Sequence, residues 1–233
     1  MQRARGAWSG ARRVAAVLVM LDLDNTLVDR HGAFTTWARD FLAGVDGNTT
    51  DLDWLIAADQ DGYRPRAELA ALLRARFQLS TPVPDLVGRL RRELLEHIHV
   101  YPGVIEALDA LVETGAALVV VTNGTVGQQK HKLHRTGLLH YSPHPVISEA
   151  VGAKKPHRLV FDTALSQSGH RPEQSWMVGD HPVTDMAGAH QIGIRTGWVS
   201  HHRLWPHPWA PGVAGARTED VLQHIVAEAG HRR

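Results

Sequence analysis

The chain of 233 residues contains no cysteine. That excludes a disulfide scaffold, a cysteine nucleophile, a thiolate zinc site and an iron–sulfur cluster. It also fits a reducing compartment, and the expected location is cytoplasmic. Lysine is nearly as scarce. Of the 25 basic residues only Lys130, Lys132, Lys154 and Lys155 are lysines. Long apolar runs are lacking too. The longest, Val14–Leu21, is far short of the roughly 20 residues that span a bilayer. Neither sign of charge dominates, since 25 Lys+Arg against 24 Asp+Glu leave +1. Such a balance provides no basic footprint for nucleic acid and no polybasic patch for a membrane. The basic segment before Val14 carries no cleavage-site pattern. It reads as a flexible tail over residues 1–13 rather than a signal peptide.

With 43% hydrophobic and 21% charged residues, a chain of this length buries a core without staples. Two continuous apolar runs, Val14–Leu21 and Ala117–Val121, predict strands buried on both faces. Pro145–Ser148, Trp176–Val178 and Thr196–Val199 are shorter candidates. Helical stripes lie between them, for example Ile105, Leu108, Leu111 and Val112, with Gly115 as a stop. This alternation predicts an α/β fold with a Rossmann-like parallel sheet. Residues 30–100 break the alternation. Three helical stripes fall there: Phe34, Trp37, Ala38, Phe41 and Leu42; Leu69, Leu72, Leu73 and Phe77; and Leu86, Leu90 and Leu94. They exceed an ordinary crossover and predict an inserted α-helical subdomain. The core is then 14–29 with 101–233, closing on a helix from about Thr218.

Four short motifs follow the expected strands, at the sheet edge where open α/β folds bind ligands. The first is Asp22-Leu23-Asp24-Asn25-Thr26-Leu27. Two carboxylates at this spacing lie on one side of an extended backbone. They can divide the work, one attacking while the other moves a proton. A polar loop with a helix cap would use the same residue types. Thr122-Asn123-Gly124 supplies a hydroxyl, an amide and a flexible turn, suited to phosphate oxygens or simply to an N-cap. Lys155, in Gly152-Ala153-Lys154-Lys155-Pro156, can balance carboxylates and clamp a phosphoryl group. The fourth motif, Val178-Gly179-Asp180-His181-Pro182-Val183-Thr184-Asp185, offers Asp180 as an oxygen ligand for Mg²⁺. Asp185 falls in the first turn of a helix, where its charge suits the dipole.

The four motifs, in this order and each after its own strand, resemble the haloacid dehalogenase superfamily over roughly Val14 to Ser200. The insert is similar to that superfamily's helical cap. The resemblance implies that Asp22 is the nucleophile forming an aspartyl-phosphate. It makes Asp24 the general acid and base. Thr26 shapes the loop, and Thr122 and Asn123 bind the phosphoryl group. Lys155 steadies both nucleophile and phosphate. Mg²⁺ would be held by the carboxylates of Asp22 and Asp180 and the backbone carbonyl of Asp24, with Asp185 supporting. The implied reaction is hydrolysis of a small soluble phosphomonoester, without nucleic acid or membrane; monomer and homodimer are equally compatible. The dehalogenases lack an acid at the position of Asp24, so this residue argues for phosphoryl transfer. No lysine precedes Lys130, which opposes the Schiff-base chemistry of related phosphonate hydrolases. A phosphomutase on the same core and a non-catalytic binding member remain alternatives. Pro156-His157-Arg158 departs from the Asp-Pro that relatives often carry, at a helix start.

The 16 histidines form no tight metal-binding pair. His201, His202, His131 and His134 are expected at the surface, and His181 at the mouth of the site. Trp205-Pro206-His207-Pro208-Trp209 is expected to pack over the core. Arg64, Arg66, Trp54 and Tyr63 fall near a loop of the insert, where they would suit an acidic phosphate ester or a nucleotide.

Overall fold

A computed structural model describes residues 17–230. The expected tail at 1–13, and positions 14–16 of the first expected strand, lie outside the described residues. Within them, the strands are β1 (Leu18–Leu21), β2 (Ala117–Thr122), β3 (Val146–Ile147), β4 (Ser175–Gly179), β5 (Arg195–Val199) and β6 (Val213–Gly215). All neighbours pair in parallel, in the order β3-β2-β1-β4-β5-β6. The order runs outward in both directions from the β1–β4 pair. At that reversal the crossovers go to opposite faces and leave a crevice at the carboxyl ends of the strands.

Period-two alternation explains why β1 is apolar at every position. Val19 and Leu21 enter one core cluster with α5 (Val104–Glu113) and α10 (Thr218–Gly230). Leu18 and Met20 enter the other with Phe161 and Leu165 of α8 (Arg158–Ser168). The face of α5 differs by one position from the expected stripe. Val104, Ala107, Leu108 and Leu111 are buried, while Val112 is exposed. Leu72 is likewise exposed, leaving Leu69, Ala70 and Leu73 to face the core. Strand β6, three half-open residues at the sheet edge, is too short and weakly apolar to stand out in sequence.

Between β1 and α5 come four helices: α1 (Arg30–Ala43), α2 (Thr49–Asp59), α3 (Arg66–Arg76) and α4 (Val83–His97). Asp29 caps α1 by accepting from Gly32 N at 2.7 Å. Asn48 and Asp51 form a capping box on α2. Phe34, Trp37 and Phe41 stack along α1, and Trp37 Nε1 donates to Glu93 of α4 at 2.9 Å. These side chains join Leu69, Leu73, Leu90 and Leu94 in a cluster continuous with Leu23, Leu27 and Val28 below.

The chain leaves and re-enters the sheet domain at one place. Asp29 N donates to His99 O and Tyr101 N to Leu27 O, both at 3.0 Å. Val28 and Val100 form an antiparallel bridge between them. At the other side of the loop after β1, Thr218 at the start of α10 donates its hydroxyl to the carbonyl of Thr26 at 2.5 Å.

Candidate active site

The loop after β1 turns sharply because Asn25 adopts φ +59°, a left-handed conformation that asparagine tolerates. Amides of Leu27 and Val28 then return to Leu23 O at 2.9 and 3.0 Å. Asp22 is thereby held at the strand end, its amide donating to Val178 O of β4 at 2.9 Å. Its Oδ1 accepts from Lys155 Nζ at 2.5 Å, and its Oδ2 from Thr26 Oγ1 at 3.3 Å. Lys155 also donates to Val121 O at 2.7 Å. Its Nζ lies 2.7 Å from Asp185 Oδ1, an oxygen that is buried and receives no hydrogen bond of proper geometry.

Asp22, Asp180 and Asp185 bring carboxylate oxygens within 4.8 Å of one another. Burial raises the Asp22 carboxyl to about 7, with Asp185 adding to the rise and Lys155 opposing it. Burial also pushes Asp180 well above the usual carboxylate range, helped by Asp185 and Asp22 and opposed by Arg203. Lys155 and Arg203 supply two positive charges against three carboxylates, which leaves one uncompensated. The carboxylate charge left over and the oxygen-only donors together fit a hard divalent cation. Lys155 itself is held charged. Burial disfavours its ammonium, but Asp185 and Asp22 outweigh that penalty.

Two glycines make room for side chains of the site. Gly179 ends β4 where a Cβ would sit 2.6 Å from Asp185 Cγ. Gly179→Ala is therefore expected to displace Asp185 and cut kcat by about 100-fold, since misplacement near 1 Å costs that much. Steady-state kinetics with a check on folding would measure it, and near-normal kcat would refute it. Gly124 has φ +149°, open to glycine alone, and lets Gln129 pack against the turn after β2.

Asp24 does not join the other acids. Its carboxylate faces α6 (Val126–Arg135), where Lys132 Nζ lies 2.6 Å from both oxygens and Gln129 Nε2 lies 3.1 Å from Oδ2. Burial works to raise this carboxyl, but the Lys132 charge and the two hydrogen bonds overcome it and hold it below the usual range. Gln129 also donates to Thr122 Oγ1 at 2.7 Å, tying the second motif to the first. The Asn123 side chain exchanges two hydrogen bonds with the Lys155 backbone, at 3.1 and 2.8 Å. Its amide thus positions Lys155. Arg203 Nη2 holds Asp180 through its carbonyl at 2.6 Å and Oδ2 at 3.1 Å.

Sequence reasoning singled out Asp22, Asp24, Thr26, Thr122, Asn123, Lys155, Asp180 and Asp185, and the structure gathers all of them at the β1–β4 crevice. It missed Lys132, Gln129 and Arg203. Lys132 and Gln129 had a signal. They lie three residues apart on the helix after the second motif, in a chain with only four lysines. His201 departs from its expected surface role, because its Nε2 contacts Asn25 O at 2.7 Å. His181 Nδ1 accepts from Val183 N and Thr184 N, capping the π-helical turn Pro182–Ala187 that carries Asp185. Its ring meets Tyr63 from the insert at 5.2 Å. His157 supplies the N-cap of α8 through Nδ1, so the departure from Asp-Pro leaves that helix start capped. Trp54 packs on Phe77 and Arg76 instead of facing the crevice. Trp209 stacks between His190 and His207, with Trp205 against Trp198, over the second core cluster.

The family model described as haloacid dehalogenase-like hydrolase matches residues 19–199. A phosphoserine phosphatase of Thermus thermophilus is 32% identical over 196 residues, covering 83% of this chain and 73% of that protein. The pyrimidine 5'-nucleotidase YjjG of Escherichia coli is 41% identical over 113 residues, and that match spans 47% of this chain and 49% of the nucleotidase. Among solved structures, the magnesium-bound HAD-hydrolase YfnB of Bacillus subtilis superposes with a TM-score of 0.77 at 20% identity, covering 91% of this chain and 99% of that one. Among the described residues no helix is long and apolar enough to cross a membrane. The matched span takes in all four motifs, and on that ground the chain belongs to the haloacid dehalogenase-like hydrolases.

Proposed function

We propose that the protein is a Mg²⁺-dependent phosphatase of small phosphomonoesters, working through an aspartyl-phosphate on Asp22. The observation that carries this reading is the division of the two carboxylates of the first motif. Asp22 is fixed by Lys155 beside an acid cluster, while Asp24 stands apart on Lys132 and Gln129. A halide needs no proton to leave, whereas an alkoxide does, so the second carboxylate favours phosphoryl transfer over dehalogenation. The phosphatases among the relatives support the same reaction class.

In the first half-reaction an Asp22 carboxylate oxygen attacks phosphorus, the ester P–O bond breaks, and Asp24, which has first taken up a proton from solvent against the pull of Lys132, gives it to the departing alkoxide. In the second, Asp24 takes a proton from water as its oxygen attacks phosphorus. The bond to Asp22 then breaks, returning the carboxylate and releasing phosphate. Lys132 favours the ionised Asp24 that serves the second half. Lys155 offsets the repulsion between the Asp22 carboxylate and the incoming phosphate. Thr122 and the backbone of the turn after it offer donors to the phosphoryl oxygens, and Asn123 fixes Lys155. Asp22 and Asp180, with the Asp24 carbonyl, would hold Mg²⁺, and Asp185 would support them. Bound there, the ion would neutralise charge on the phosphoryl oxygens in the transition state. The inserted helices over the crevice would act as a cap that excludes water and chooses the leaving group.

Phosphate release across a panel of phosphoesters, with and without Mg²⁺, tests the reading. The Asp24→Asn variant sharpens it. Its loss should reach about 100-fold or more on alkyl esters, whose leaving groups need a proton, and be far smaller on nitrophenyl phosphate. Equal losses on both would remove Asp24 from the acid role. An isomerised sugar phosphate without phosphate release would indicate a mutase instead.

A further inference from the structure

A cleft of about 170 Å³ opens between α4 and α6. Arg66, Arg91, Arg92 and Lys132 line it together with Leu95 and Ile98, and none of the residues lining it is acidic. Lys132 belongs to both places: it lines this cleft and holds the Asp24 carboxylate. The cleft therefore lies on the leaving-group side of the crevice.

The charge behind the cleft does not balance. Arg30 binds Asp59 through both guanidinium nitrogens, and Arg66 binds the same carboxylate at 2.6 Å. Arg30, Asp59 and Arg66 are 3%, 2% and 15% exposed at the side chain, and Lys132 12%. Three cations, Arg30, Arg66 and Lys132, thus face two anions, Asp59 and Asp24, in a mostly buried group. Burial, then Arg30, works against the Arg66 charge. Arg91 and Arg92 add two more cations at the rim, and neither has a carboxylate within ion-pairing distance among the described residues. A buried positive surplus is costly unless an anion completes it.

We propose, resting on the phosphatase reading above, that the substrate's leaving group carries a second anionic group, a carboxylate or a phosphate, which docks in this cleft against Arg66, Arg91, Arg92 and Lys132. Pockets for whole small molecules run to roughly 300–1,000 Å³, so this smaller space suits one group of the substrate. The phosphoryl end stays at Asp22, Asp24 stands beside the scissile bond, and Leu95 and Ile98 receive a short carbon stem. Arginine forks match carboxylate and phosphate oxygens alike.

The test is calorimetric binding of two inert phosphonates to the Mg²⁺-loaded protein at physiological ionic strength. They are 3-phosphonopropionate, which carries the second anion, and propylphosphonate, which does not. The wild type should bind the first roughly tenfold tighter or more. That ratio should shrink roughly threefold or more in Arg66→Gln and in the double variant Arg91→Gln/Arg92→Gln. The rim arginines are exposed, so their loss cannot be confused with misfolding. Arg39→Gln, at an exposed position on α1, removes the same charge away from the cleft and should keep the wild-type ratio. Equal affinity for the two compounds, binding of neither, or a ratio the cleft variants leave unchanged would overturn the inference. Phosphate release across the phosphoester panel, esters with a second anionic group included, judges the phosphatase reading separately. A protein that releases none but shows the binding ratio and its loss would keep the anion cleft and lose the phosphatase.

Discussion

Asp22→Asn should abolish phosphate release, by on the order of 10⁴-fold or more, while leaving a protein that folds and melts no lower than the wild type. The chemical part follows from the absence of a substitute: the amide cannot form the acyl-phosphate, and Asp24 is committed to Lys132 and Gln129. The stability part follows from the sign of the Asp22 shift. Its carboxyl rises in the folded site from 3.8 to about 7, chiefly through burial. Folding is therefore favoured by this group below the unfolded value, and the benefit is lost as pH rises through the folded one. At pH 8 in a chelating buffer the buried charge opposes folding, and the neutral amide removes that opposition. Near pH 4 the two proteins should converge. Thermal melts at both pH values and a phosphate assay measure the prediction. Turnover that survives would remove Asp22 as the nucleophile, and a melt well below wild type at pH 8 would contradict the electrostatic account.

Lys155→Met should do the opposite to stability and the same to activity. Lys155 is the one ammonium that touches both Asp22 and Asp185, and all three side chains are buried. Removing one partner from such a group strands the others, at a cost of about 3–5 kcal/mol. For a domain of this size that corresponds to a melting temperature lower by roughly 6–20 °C. Part of the deficit should disappear as pH falls and Asp22 takes up a proton, so the difference between variant and wild type should be smaller at pH 5 than at pH 8. A variant that melts with the wild type at both pH values would show that the carboxylates find other compensation.

The parts of this molecule legible in sequence are those whose signal is local. A strand buried on both faces has to be apolar throughout, so β1 and β2 stand out, and the polar residues just after them are conspicuous for lying against such runs. The helices of the insert announce themselves through Phe34, Trp37 and Phe41 at helical spacing. What stayed hidden depends on which faces meet. Lys132 and Gln129 look like ordinary polar positions of an amphipathic helix until α6 is seen to cross the first motif. Arg30, Asp59 and Arg66 lie on three separate segments, and nothing short of the tertiary arrangement reveals that one carboxylate serves two guanidinium groups. Arg203 follows a weakly patterned strand and reaches back to Asp180 by a loop. Strand β6 owes its existence to the neighbouring β5 and has little apolar character of its own.

The hydroxyl of Thr218 on the carbonyl of Thr26 has a consequence for how the molecule comes to be made. The two residues are 192 positions apart, and Asp22 and Lys155 are 133 apart. A ribosome delivers Asp22 early, its counter-charge Lys155 much later, and the clamp on the loop after β1 later still. During that interval the first strand cannot settle between β2 and β4, because β4 does not yet exist, and its carboxylate stays in water. The sheet's centre is laid down first in time and completed last in space. A growing chain of this kind passes through a long phase with an apolar, unpaired β1, when a chaperone that shields it would matter most.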